Sequence, residues 1–137
     1  MSAEVAVRAA VIAALRADAE LMAALNGLFD GEPGRASAPY AVVGECVASD
    51  WGTKDVDGRE LRLTIGLHDA ADTPGRLAGM LARIDPAVQA ADASGEGWRI
   101  VSARLVRSRL AQAGKREDRG WQALVDYRLR AVAQAAG

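Results

Sequence analysis

The chain has 137 residues, 17 of them basic and 18 acidic, and half of them hydrophobic. That length predicts one domain, residues 1–137, with one sizeable core, and the hydrophobic fraction excludes intrinsic disorder. The net charge of −1 excludes the basic excess of a free-standing nucleic-acid binder, and the single cysteine and single histidine exclude an internal disulfide, a Cys-type zinc site and a multi-His metal site.

Thirty residues are Ala, and all but two of the basic residues are Arg. Codons for both are rich in G and C, so a bacterial genome of high GC content is the expected source. No run of 18 apolar residues is present, so no membrane span or membrane partner is expected. The start Met-Ser-Ala-Glu has no basic n-region and does not read as a signal peptide. Synthesis in the bacterial cytoplasm follows as an expectation.

Residues 3–25 read as helical. Ser2 suits an N-cap and Glu4 the first turn. Val7, Val11 and Leu15 form an apolar stripe, which Arg8 interrupts. Asp18 suits the cap of a second short helix over 19–26, and Gly27 reads as its stop. Residues 27–39 hold three Gly and two Pro and read as a loop. Tyr40 to Val47 is apolar on both faces, as in a strand inside a sheet. Asp57-Gly58 signals a hairpin turn before a second strand over 59–68. There Leu61, Leu63, Ile65 and Leu67 alternate with Arg62, Thr64, Gly66 and His68.

Thr73-Pro74 reads as a helix start, with Thr as N-cap and Pro at the first helical position. Leu77, Met80, Leu81, Ile84 and Val88 then share one face, and Pro86 is expected to bend or restart the helix after Asp85. Residues 92–97 form a linker. A third strand spans about Trp98 to Leu110 and a fourth about Gly120 to Ala133, joined by the charged turn 111–119. The predicted order is α-β-β-α-β-β, an α+β fold with an antiparallel sheet of about four strands packed against two helices.

Chemistry is sparse along this order. His68 and Asp69 are adjacent strand residues and point to opposite faces, so they do not form a general base with its orienter. Cys46 lies in a two-sided apolar strand, where a cysteine serves as a small core residue. Asp55-Val56-Asp57-Gly58 lacks the further carboxylates of a calcium loop. No phosphate loop, nucleophile elbow or zinc-protease motif occurs. No enzyme, catalytic residue, metal or cofactor is expected. Arg104, Arg107, Arg109, Lys115, Arg116 and Arg119 concentrate in the last hairpin, either as a solvated face or as an interaction surface. Trp51 lies in a polar connector, where it is either a lid over the core or an interface anchor.

An Ala-rich first helix leads to Phe29-Asp30-Gly31-Glu32-Pro33, then to Pro39-Tyr40 and an apolar strand ending near Gly44-Glu45. Asp50-Trp51-Gly52-Thr53-Lys54 and Gly58-Arg59-Glu60 follow, then the helix over 74–91 and the long closing hairpin. With these features the chain resembles, over nearly its whole length, the tail terminator (tail completion) proteins of long-tailed phages and phage-like gene transfer agents. Asp50–Lys54 is the most specific stretch. His68 departs from the pattern at a position where an aromatic is expected, which leaves the end of the second strand open.

The resemblance implies a structural component of a phage-like particle, at its head-tail junction. The partners implied are other copies of itself in a homohexameric ring, the tail tube protein, and a head-tail connector or stopper protein. The ring would stop tube growth, and double-stranded DNA would pass through its lumen without specific binding. Candidate interface residues are then Trp51, Lys54, Arg107, Arg109, Lys115, Arg116 and Arg119. Two alternatives stay open: another neck adaptor or tail-tube protein of the same particle, or a small cytoplasmic ligand-binding domain.

Overall fold

A computed structural model describes residues 1–113 and 120–134. The order is α1 (Ala3–Arg16), α2 (Ala19–Ala24), β1 (Gly27–Asp30), β2 (Tyr40–Asp50), β3 (Gly58–Asp69), α3 (Gly75–Gln89), a 3₁₀ turn (Ser94–Glu96), β4 (Trp98–Ala113) and β5 (Gly120–Ala133). The strands form one sheet in the order β1-β2-β3-β5-β4. The class is α+β, as the sequence predicts. The sheet, however, has five strands rather than four and is mixed rather than antiparallel, because β1 runs parallel to β2. The described residues hold three helices where the predicted order allows two; the additional one, α2, is the short helix that Asp18 is expected to cap.

The extra strand lies in the stretch read as a loop. Gly27-Leu28-Phe29-Asp30 is too short to show alternation, and of the four only Leu28 is buried. Its place is fixed by tertiary contacts. The Asn26 backbone amide donates to the Pro39 carbonyl at 2.7 Å, and its side-chain amide donates to the Ser37 and Ala38 carbonyls at 3.2 and 3.0 Å. The returning loop is thereby clamped so that Gly27 aligns with Tyr40.

Both amino-terminal caps follow the sequence. Ser2 accepts from the Val5 amide at 3.4 Å, and Asp18 accepts from the Leu21 amide at 3.0 Å. The start of α3 does not. Pro74 occupies the N-cap position there, and no side chain caps the helix. Nor does Pro86 end it: the helix runs on to Gln89. Leu77, Met80, Ile84, Ala87 and Val88 are buried on both sides of the proline, and this apolar face holds the helix on the sheet where local propensity would break it.

Residues 51–57 join β2 to β3, so Asp57-Gly58 is not a two-residue turn. Gly58 opens β3, which continues through His68 to Asp69. The left-handed glycines among the described residues are Gly31 and Gly97. At Gly120 the backbones come close: a Cβ there would stand 2.2 Å from the Asp69 carbonyl oxygen, so only glycine lets β5 begin beside the end of β3.

A bulge after Val43 changes the faces of β2. Two residues, Gly44 and Glu45, stand against Thr64 alone. Ala41 and Val43 enter the core before it; Cys46 and Ala48 pack on the core after it, and Val47 turns outward. Arg8 holds the bulge. Its guanidinium donates to the carbonyls of Val43 and Gly44 and, from Nε, to Asp30 Oδ1 at 2.5 Å. The charge that interrupts the α1 stripe is thus the tie between α1, β1 and β2.

The core lies between the helices and one face of the sheet. Leu15, Leu21, Leu61, Leu63, Ile65, Leu67, Leu77, Ile84, Tyr127 and Leu129 are almost wholly buried in it. Each such side chain contributes roughly 1.5–3 kcal/mol by leaving water. Tyr127 also donates through its hydroxyl to Asp85 at 2.9 Å, fastening β5 to α3.

Candidate interaction surface

Among the described residues no helix covers the other face of the sheet, and register fixes what stands on it, since directly opposed residues share a face. Across β2, β3, β5 and β4 one row reads Val47, Arg62, Arg128, Arg104. Beside it lie Ser49, Glu60, Arg130, Ser102 on one side and Thr64, Asp126, Arg107 on the other. Arg109 opposes Leu124, and Arg99 opposes Val132. Across β3, β5 and β4 the described residues of this face include seven Arg and two acids, on a chain whose net charge is −1.

The two acids organise the arginines around them. Asp126 accepts from Thr64 Oγ1 at 2.6 Å, and from Arg107 at 3.1 Å to Nε and 2.9 Å to Nη2. The Thr64 hydroxyl first, and the Arg107 guanidinium after it, hold its carboxyl below the ordinary carboxylate range against the opposing effect of burial. Glu60 lies 3.3 Å from Arg130 Nε and 3.6 Å from Arg128 Nε. The Arg128 Nε is buried and lacks a hydrogen-bond partner.

Trp51 sits at the rim of this face. Its amide donates to the Gly58 carbonyl at 3.0 Å, and the guanidinium of Arg130 lies over its ring at 5.1 Å. The connector folds tightly behind it: Thr53 N donates to the Val56 carbonyl at 2.8 Å, and a Cβ at Gly52 would stand 2.7 Å from that carbonyl. Trp51, Thr53, Val56, Arg99, Val101 and Val132 line a cleft of about 650 Å³ that opens to solvent.

Of the residues the sequence singles out, Trp51 is 38% exposed and Arg107 and Arg109 project from β4 on the same open face. Lys54 is exposed in the 51–57 connector. The fold does not draw Lys54 into the arginine rows. Lys115, Arg116 and Arg119 lie outside the described residues. Sequence reasoning missed Arg62, Arg128 and Arg130 as members of one surface with Arg104 and Arg107. The signal was present in their period of two, with Arg128 and Arg130 alternating with the buried Tyr127, Leu129 and Ala131.

The remaining polar residues do not converge. His68 stacks on Tyr40 with ring centroids 4.5 Å apart, and burial lowers its pKa, partly offset by Glu32. Asp69 points into the protein, buried against Arg76. Burial pushes the Cys46 thiol up to about 11, so it is not poised as a thiolate. Among the described residues no three His, Cys, Asp or Glu side chains group as metal ligands. No described helix is long and apolar enough to cross a membrane.

No curated protein matches the sequence. The fold is similar to that of a chain in a solved structure titled "Virion of native gene transfer agent (GTA) particle". The TM-score is 0.67 and the identity 23%, over 93% of this chain and 94% of that one. The family described as "Tail completion protein gp17" matches residues 9–131, from the first helix to near the end of the last strand, and the chain belongs to that family.

Proposed function

We propose that this protein is a structural component of a phage-like particle, the tail terminator that caps the tail tube. Six copies form a ring at the head-tail junction. One face of the ring receives the last ring of the tube protein, and the other meets the head-side connector or stopper. DNA passes through the lumen without being read. The observation that carries this reading is the family match over residues 9–131. The similar fold of a chain in a gene transfer agent virion supports it.

The physics of the fold suits such a part. A sheet with two free edges offers backbone donors and acceptors to another copy at each side. A heterologous contact that repeats around a circle leaves no edge unsatisfied. On this reading the arginine rows, Trp51 and Lys54 are protein-contact surface, and the role is mechanical rather than catalytic. Trp51, with a guanidinium over one face of its ring and a cleft beside it, has the character of an interface anchor.

Deletion of the gene from a producing strain tests the reading. DNA-filled heads separated from tails of abnormal length are the expected products. Normal particles would overturn it, and purified protein that polymerises into long tubes would identify a tube subunit instead.

A further inference from the structure

The two free edges of the sheet carry opposite charge. β4 forms one edge, and over its 16 residues it holds Arg99, Arg104, Arg107 and Arg109 and no acid. The other edge is β1 followed by the distal part of β2, because β1 covers β2 only from Tyr40 to Val43. Residues 27–32 and 44–50, which make up that edge, hold Asp30, Glu32, Glu45 and Asp50 and no base. One edge is therefore formally +4 and the other −4. Asp30 is tied to Arg8, and Asp50 lies 3.7 Å from Arg59. Glu32 and Glu45 form no ion pair among the described residues.

The positive edge also exposes a run of large apolar side chains. Val101, Leu105, Val106 and Leu110, all on β4, are 43–50% exposed. Leu105 and Leu110 stand opposite Tyr127 and Ala123 on the helix side of the sheet. Val101 and Val106 sit at the two bulges, beside the arginines of the open face. Arginine and bulges alone can guard an edge against pairing. They do not account for four large aliphatic side chains left half in water along one strand. A phosphate backbone would answer the arginines and leave the aliphatic groups wet. A protein surface answers both, and the outward acids of the opposite edge are accompanied by Val47, 53% exposed.

We propose that a second copy of this chain docks on β4 and presents its acidic β1–β2 edge there. The assignment rests on the ring reading above and specifies which surfaces close it. Each copy offers β4 to one neighbour and its β1–β2 edge to the other, so the contact is heterologous and propagates around a ring. The charge pattern sets direction: β4 against β4, or acidic edge against acidic edge, is repelled.

A charge swap tests this in the full chain. One variant carries Arg104→Glu and Arg109→Glu; the other carries Glu32→Lys and Glu45→Lys. Sedimentation velocity across a salt series measures assembly, and circular dichroism checks folding. Wild type is expected to form a closed oligomer that loosens as salt rises. Each variant alone is expected to associate at least about tenfold more weakly, because its altered edge becomes formally neutral and sets like charges against the neighbour at the substituted positions. An equimolar mixture is expected to reassemble with the two variants alternating, because the acids introduced on one variant's β4 then meet the lysines introduced on the other's edge, while the two unaltered edges keep their opposite charges. That rescue also shows that both variants are folded. Variants that assemble alone as well as wild type, or a mixture that stays dissociated, would overturn the surfaces proposed and leave the terminator reading standing. A wild type that stays monomeric would overturn self-docking, and the deletion phenotype would then judge the terminator reading separately. Tight binding of a duplex oligonucleotide that the Arg104→Glu/Arg109→Glu variant loses, with its assembly unchanged, would mark β4 as a DNA surface and overturn the proposal.

Discussion

Trp51 separates two roles that a sequence leaves equal. A lid over the core would bury the ring, and its loss would cost several kcal/mol. The ring is instead 38% exposed, and Arg130 lies 5.1 Å above it. Such a contact contributes about 0.5–1 kcal/mol at an exposed site. With the ring still partly out of water, Trp51→Ala is expected to lower stability to urea by about 1–2 kcal/mol while weakening attachment to purified tails. A loss of 3 kcal/mol or more, on the scale of about 3–5 kcal/mol for a buried Trp, would restore the lid. Asp69 makes a different commitment. Its side chain is buried, and the hydrogen bond from Arg76 holds its carboxyl below the ordinary range. A carboxylate with a depressed folded pKa stabilises the protein above its unfolded value and loses that contribution as pH falls through the folded one. Stability should thus decline below about pH 4, and Asp69→Asn should flatten that decline while lowering stability at pH 7. Urea titrations from pH 7 to pH 2.5 on both proteins check the sign.

At the scale of elements, alternation was the part of the fold most legible in the sequence. The apolar set Leu61, Leu63, Ile65, Leu67 is buried in the structure, and Ser2 and Asp18 cap as their positions suggest. What escaped was whatever depends on distant partners. β1 is four residues long and is placed by Asn26 and the Pro39 loop; the β2 bulge is held by Arg8 from a helix 36 positions away from Gly44. Neither leaves a periodic trace. The interaction surface left a partial trace, the alternation of Arg128 and Arg130 with buried residues. Individual arginines were visible, but their assembly into rows needed the β3–β5–β4 register. Pro86 shows tertiary packing overruling propensity. It removes one backbone donor inside α3 and is exposed, so nothing in the core depends on its ring. Pro86→Ala is expected to stabilise the protein by at least about 1 kcal/mol, seen as a higher thermal midpoint. A lower midpoint would mean that the proline stiffens the unfolded chain more than it costs the helix.

The whole molecule is a sheet with helices on one side and charge segregated on the other. A net charge of −1 conceals this, because seven Arg and two acids share the open face of β3, β5 and β4 while acids gather at the far edge. Polarity of that kind gives a subunit a direction, and direction lets identical copies close into one ring and stop. Electron cryomicroscopy of intact particles from the producing strain tests this most directly. The fold should fit a single ring between the head-proximal end of the tail tube and the connector, with neighbouring sheets meeting β4 against β1–β2. Density for this chain repeating along the tube, or absent from the particle, would contradict it.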